Sequence, residues 1–95
     1  DITSTPPTNY NLHQNFPNPF NATTTIRFDV AQSSVVNLKV YNLLGQVVAT
    51  LADGQNMSQG TYQVQWDAKD LASGIYLYQL EAGDVKVSRK MILLK

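Results

Sequence analysis

One histidine, His13, and two acids three apart, Asp67 and Asp70, are the side chains best suited by type to acid–base or metal chemistry in this 95-residue chain. A hydrolase triad needs a base that an orienting group holds against a nucleophile. A single imidazole beside a proline-rich segment supplies little of that, so His13 is read as a solvated loop histidine. Carboxylates that cleave glycosides flank a cleft, whereas Asp67 and Asp70 fall in one short loop after a strand. Their spacing predicts an Asx-type turn or cap. A calcium ion held by Asp67, Asp70 and loop carbonyls is the lesser alternative. There is no cysteine, which excludes a disulfide scaffold and a cysteine-based zinc site. No glycine loop suited to phosphate occurs. The expectation is a chain without catalysis and without a cofactor.

Aromatic side chains offer a second chemistry. Tyr62, Trp66, Tyr76 and Tyr78 could stack on sugars, as the rings of secreted binding modules do. They share strand parity with Val64 and Leu80, however, and alternation buries all six together. The expectation is that Trp66 pins a core. Tyr41, on the opposite parity to Val40, is expected to be accessible, and one exposed tyrosine is not a binding site.

Seven basic and seven acidic residues cancel. A neutral chain with scattered lysines has no electrostatic footprint for nucleic acid. No apolar run approaches the ~20 residues that span a bilayer. The chain starts at Asp1 without a signal peptide, so it is expected to be a piece of a longer protein.

The elements that must position these residues are strands. Residues 1–10 are rich in Thr, Ser and Pro and have linker composition; a domain is expected over residues 11–95. A short edge strand is expected near Leu12. Ile26, Phe28 and Val30 alternate with Arg27 and Asp29, and Val36, Leu38 and Val40 with Asn37 and Lys39. Asn42-Leu43-Leu44-Gly45-Gln46 reads as a tight connection with Gly45 at positive φ. A third strand follows to Leu51. Asp53-Gly54 and Ser58-Gln59-Gly60 are read as the two sides of a polar loop. Tyr62 to Trp66 makes the next strand, residues 67–74 a loop, and Tyr76, Tyr78 and Leu80 another strand. Ala82-Gly83-Asp84 turns the chain into a last strand over residues 85–94. About seven short strands and no helical period predict an all-β fold, an immunoglobulin-like antiparallel β-sandwich.

Two segments remain. In Gln14-Asn15-Phe16-Pro17-Asn18-Pro19-Phe20-Asn21 the prolines fix φ and remove donors, so neither a helix nor a central strand is possible. Phe16 and Phe20 are expected to plug the open end of the sandwich. In the last strand Val85, Val87, Met91 and Leu93 share a parity that would carry Arg89 inward. Either Arg89 turns inward or a bulge near Arg89-Lys90 changes the register; both remain open. Lys86, Lys90 and Lys95 are expected outward as gatekeepers against aggregation.

The proline segment followed by Thr-Thr-Thr-Ile-Arg-Phe, then Val40-Tyr41-Asn42-Leu43-Leu44-Gly45-Gln46, Trp66-Asp67, Ser73-Gly74-Ile75-Tyr76 and the closing Lys90-Met91-Ile92-Leu93-Leu94-Lys95 resemble the type A C-terminal sorting domain of the type IX secretion system. The resemblance covers roughly residues 11–95. Ala22 departs from the pattern, which commonly has a proline there. Flagellar hook-capping proteins carry a similar scaffold without the Pro-Asn-Pro-Phe opening or the lysine ending.

The resemblance implies a secretion address on a larger cargo protein of a Gram-negative bacterium. Such cargo crosses the periplasm and is then secreted or held at the cell surface. The implied partners are the outer-membrane translocon, a sortase-like peptidase and a cargo domain in cis. It assigns recognition to Lys90, Met91, Ile92, Leu93, Leu94 and Lys95. It assigns fold-holding or framing to Phe16, Pro17, Asn18, Pro19, Phe20, Gly45, Trp66, Gly74 and Tyr76. A carbohydrate-binding or adhesive module, or a bare spacer, is the competing expectation.

Overall fold

Seven strands and no helix make up the computed structural model, which describes residues 7–95. Of the segment read as linker, residues 1–6 lie outside the described residues. The strands are β1 (Asn11–Leu12), β2 (Thr23–Val30), β3 (Ser34–Tyr41), β4 (Val47–Met57), β5 (Gly60–Asp67), β6 (Gly74–Ala82) and β7 (Val85–Leu93). They form two antiparallel sheets, ordered β1-β2-β5 and β4-β3-β6-β7. This is the two-layer sandwich that the period-2 alternation predicts.

Ile26, Phe28 and Val30 from one sheet face Val36, Leu38, Val40, Tyr78, Leu80, Met91 and Leu93 from the other, all fully buried. Trp66 is also buried, between Phe20 and Tyr76, with ring centroids 6.0 and 6.4 Å away. Tyr62, stacked on Phe28 at 5.6 Å, and Val64 keep the inward parity but are only half-buried, because β5 is the edge of its sheet. Trp66, Tyr76 and Tyr78 pack the interior, so the four rings do not form a surface platform for sugars.

The third strand is longer than its sequence suggests. Asp53 and Gly54, read above as loop, lie within β4, which continues to Met57. Register shifts between Val36 and Leu38 and again toward Tyr41 let the two strands stay paired. Gly54 takes φ +59° at the irregularity, and its N–H donates to Asn37 Oδ1 at 2.7 Å. A glycine next to an acid looks like a hairpin tip, but here it absorbs a bulge.

The last strand has no bulge. β7 pairs with β6 without interruption from Ala82↔Val85 to Gly74↔Leu93. Arg89 keeps the inward parity, but β7 is an edge strand, so the side chain emerges beside the other sheet. Its Nε donates to the Leu12 carbonyl on β1, and the residue remains exposed. An edge position reconciles an arginine with an apolar parity.

The two poles of the sandwich differ. At one, Tyr10 bonds Ser34 Oγ at 2.6 Å and Gln59 Nε2 donates to the Pro7 carbonyl at 2.8 Å. The N-terminal segment therefore leaves beside the β2–β3, β4–β5 and β6–β7 turns. The opposite pole carries the β3–β4 turn, the β5–β6 loop and Lys95, along a molecule 37 Å in its longest dimension.

Candidate functional site

Residues 13–22 cross from the edge of one sheet to the edge of the other. After β1 the chain follows β2, with His13 N donating to Arg27 O at 2.9 Å and Phe16 exchanging both backbone bonds with Thr25. It then leaves the three-stranded sheet through Pro17 and Pro19, each preceded by a cis peptide bond. Neither proline has an N–H to orphan where the ladder ends. Phe20 next meets Leu93 as a one-residue parallel bridge.

The landing point is the outer edge of β7, whose backbone groups alternate between β6 and solvent. Gln14 Nε2 donates to Lys90 O at 2.8 Å. Ile92 N donates to Asn18 Oδ1 at 3.0 Å. Phe20 N donates to Ile92 O, and Leu94 N to Phe20 O, both at 2.9 Å. Two side-chain amides and one residue of backbone thus satisfy the last stretch of that edge, from the Lys90 carbonyl to the Leu94 N–H. An unpaired edge invites strand addition, and this latch closes its C-terminal end.

A buried polar hub holds the crossing segment. Asn15, 2% exposed, donates from Nδ2 to Thr24 Oγ1 at 3.0 Å and to Pro17 O at 3.2 Å. Gln14 Nε2 donates to Asn15 Oδ1 at 2.7 Å, and Thr24 Oγ1 to Pro17 O at 2.9 Å. From β6 on the other sheet the Tyr78 hydroxyl donates to His13 O at 2.7 Å and accepts from Asn15 N at 2.8 Å. Burial pushes the Tyr78 phenol up, against the opposing Asn15 N–H and the charge of Arg89. It therefore stays a neutral donor, as the His13 carbonyl requires. No buried side-chain polar atom among the described residues lacks a partner.

The two phenylalanines of the segment part company. Phe20 is 2% exposed and sits on Trp66, whereas Phe16 is 79% exposed. The expectation that both plug the sandwich is corrected for Phe16. The bridge to Thr25 sets its direction outward, while the neighbouring Asn15 takes the inward place. Ala22 carries φ +68°. Proline cannot adopt that angle, so a chain with proline at this position must run differently here.

His13 is not a free loop imidazole. Its Nε2 lies 3.1 Å from Asp29 Oδ2, which also accepts from Asn11 Nδ2 at 3.1 Å; Asp29 Oδ1 accepts from Thr61 Oγ1 at 2.9 Å. Asp29 points away from the core, as alternation requires, yet these neighbours cover it. Burial raises its pKa, but the hydrogen bonds from Thr61, Asn11 and His13, with the charge of His13, outweigh that and hold the carboxyl below its ordinary value. The cluster pins β1 onto β2. Asp67 Oδ1 accepts from Lys69 N at 3.0 Å, the Asx turn expected from its spacing. Among the described residues no group of three or more His, Asp or Glu side chains converges on one point.

The recognition candidates alternate along β7. Met91 and Leu93 are fully buried, whereas Lys90, Ile92, Leu94 and Lys95 face out. Lys95 N donates to Ser73 Oγ at 3.0 Å, and its Nζ donates to the Lys69 carbonyl. Gly74 pairs with Leu93 at φ +154°, and Tyr76 donates to Ala72 O at 2.7 Å, closing the β5–β6 loop beneath the chain end. Gly45 takes φ +83° in the β3–β4 turn, away from the latch edge.

The structure therefore brings Phe20, Asn18, Trp66, Gly74 and Tyr76 together with residues 90–95, and leaves the Phe16 ring outside. Gln14, Asn15, Thr24 and Tyr78, none of them among the residues that the resemblance assigns, fasten the assembly. The one available signal was the pair of amide side chains next to prolines that cannot supply donors.

No curated protein and no solved structure matches this chain. A family model described as the secretion system C-terminal sorting domain matches residues 14–94, from the first latch residue to the last, one position past the terminal strand. That span takes in both the crossing segment and the edge it closes, and the chain belongs to this family of sorting signals for type IX secretion.

Proposed function

We propose that this domain is read in its folded state, at the pole where residues 14–20 latch residues 90–94, by the outer-membrane translocon that exports its cargo. The observation that carries this reading is the latch itself. Segments more than 70 residues apart in sequence meet in hydrogen bonds such as Gln14 to Lys90 O and Ile92 N to Asn18. Their common surface exists only when the sandwich is complete. A peptide signal needs no such construction.

In this reading Lys90 and Lys95, with the outward Ile92 and Leu94, are what the partner touches. Met91 and Leu93 anchor that strip from beneath. The family's framing residues hold its shape. The N-terminal segment leaves from the other pole, which gives a cargo in cis, joined through a linker over residues 1–10, a position clear of the recognised end. Transit through the periplasm, release by a sortase-like peptidase and attachment at the cell surface follow the same logic. The peptidase acts on the linker while the translocon holds the far pole.

The test is export of a folded reporter. A signal-peptide-bearing fluorescent protein followed by the whole 95-residue chain is expressed in a bacterium with the type IX system and in its translocon mutant. The reading expects the reporter outside the first cell and in the periplasm of the second. A reporter that stays in the periplasm of both would overturn it.

A further inference from the structure

The turn between β3 and β4 keeps two leucines in water. Asn42 clamps it: Asn42 N donates to Gln46 O and Gly45 N to Asn42 O, each at 3.0 Å. Asn42 Oδ1 accepts from Leu44 N at 2.9 Å and from Gln46 N at 3.0 Å, while its Nδ2 donates to Gln46 Oε1 at 2.8 Å. On this locked frame Leu43 and Leu44 are 66% and 84% exposed. Turn closure uses Asn42, Gly45 and Gln46, and polar residues at the tip would serve it equally well. Folding therefore does not account for the leucines.

The strand register brings this turn to an apolar sheet face. Tyr41 pairs with Leu77 and Leu77 with Lys90, while Ile75 pairs with Ile92. Ile75 and Leu77 on β6, and Ile92 and Leu94 along the β7 strip, share the outer face, since residues two apart point the same way. Between turn and sheet lies a groove of about 310 Å³ lined by Tyr41, Gly45, Leu77, Gln79 and Ser88. Away from this end the same face is more polar, with Asn37 opposite Glu81 and Lys39 opposite Gln79, and Val35 as an isolated exposed apolar residue on β3.

Charge selects the occupant. Lys39 and Lys90 flank the apolar area, and neither takes part in an ion pair among the described residues. On β6 the carboxylate of this face, Glu81, is already 3.4 Å from Lys86 Nζ, and the exposed Asp53 of β4 lies beside Asn37, away from the apolar end. A second copy laid with the apolar ends together would bring Lys39 and Lys90 against the same lysines, with no acid at that end to meet them.

We propose that the Leu43–Leu44 turn and the outer β6–β7 face form a docking surface for a protein of the export machinery that offers apolar side chains flanked by Asp or Glu. This rests on the sorting reading and names the partner's chemistry. Because the turn is rigid before contact, little conformational entropy is lost on binding. The leucines supply the desolvated centre, and the lysines supply register and discrimination at the rim.

The double substitution Leu43→Ser/Leu44→Ser is placed in the whole-chain reporter fusion beside wild type and Leu43→Met/Leu44→Met. The serine variant should fold with unchanged melting, as exposed substitutions usually do. Its export should fall roughly tenfold or more, the loss expected for a hot-spot residue, and the methionine variant should recover most of it. Undiminished export of the serine variant, with wild type exported, overturns the docking surface and leaves the sorting reading standing. Failure of wild type itself overturns both.

Sedimentation of the purified chain, alone and with phosphatidylglycerol vesicles, separates the other occupants. A dimer, or vesicle binding, that the serine variant abolishes would assign the surface to a second copy or to lipid and overturn the proposal.

Discussion

Removal of residues 91–95 should unfold the domain rather than merely blunt a signal. Met91 and Leu93 are fully buried against the facing sheet, and large-to-small losses of such side chains cost about 2–5 kcal/mol each. The deletion also strips Phe20 and Asn18 of the edge they latch. Together these losses are comparable with the whole stability of a small domain, about 5–15 kcal/mol. Urea titration followed by Trp66 fluorescence should show no cooperative transition for the truncated chain. A transition resembling that of the full chain would contradict the packing described here. A truncation that blocks export therefore reports loss of fold and does not locate the recognised residues.

The second large effect separates two residues of one motif. Phe20→Ala should destabilise by about 3–5 kcal/mol, the cost of deleting a buried aromatic ring. It leaves a void beside Trp66, whose ring centroid is 6.0 Å from that of Phe20. For a domain of this size that lowers the melting temperature by roughly 12–40 °C, at about 4–8 °C per kcal/mol. Phe16→Ala should change stability by less than about 0.5 kcal/mol, as for other exposed positions. Equal destabilisation by the two substitutions would mean that Phe16 is buried after all.

The contrast between the two phenylalanines also shows where the sequence was legible and where it was not. Alternation identifies Ile26, Phe28 and Val30, Val36, Leu38 and Val40, and Tyr76, Tyr78 and Leu80 as core faces, because the strand period is 2 and the sheets are half buried. The Asn42 turn is equally readable from Gly45. Periodicity stops at the prolines. No rule of spacing says which of Asn15 and Phe16 turns inward, and the buried choice is the amide, because its hydrogen bonds to Thr24 and Pro17 satisfy it there.

The same gap hid the latch. Gln14 and Asn18 bond to residues more than 70 positions away, and long-range bonds from amide side chains leave no periodic trace. Gly54 misled for a related reason, since a bulge and a hairpin tip draw on the same residue type. Arg89 became interpretable only once β7 was an edge facing β1. In each case the missing information was tertiary: which strand lies at an edge, and what crosses it.

These placements bear on recognition. Residues whose loss unfolds the chain, such as Phe20, Met91 and Leu93, cannot show what a partner reads. Outward residues at the same pole can, because their side chains contribute little to the core.

The most direct measurement is therefore export of the whole-chain fusion bearing Lys90→Glu/Lys95→Glu, with the melting of the purified domain recorded alongside. Folding should be retained, because both side chains are exposed. Export should fall roughly tenfold or more, since reversed charges at an interface are set against their former partners. A folded variant exported as efficiently as wild type would contradict the claim that this lysine-bearing, latched strand is the surface that the export machinery reads.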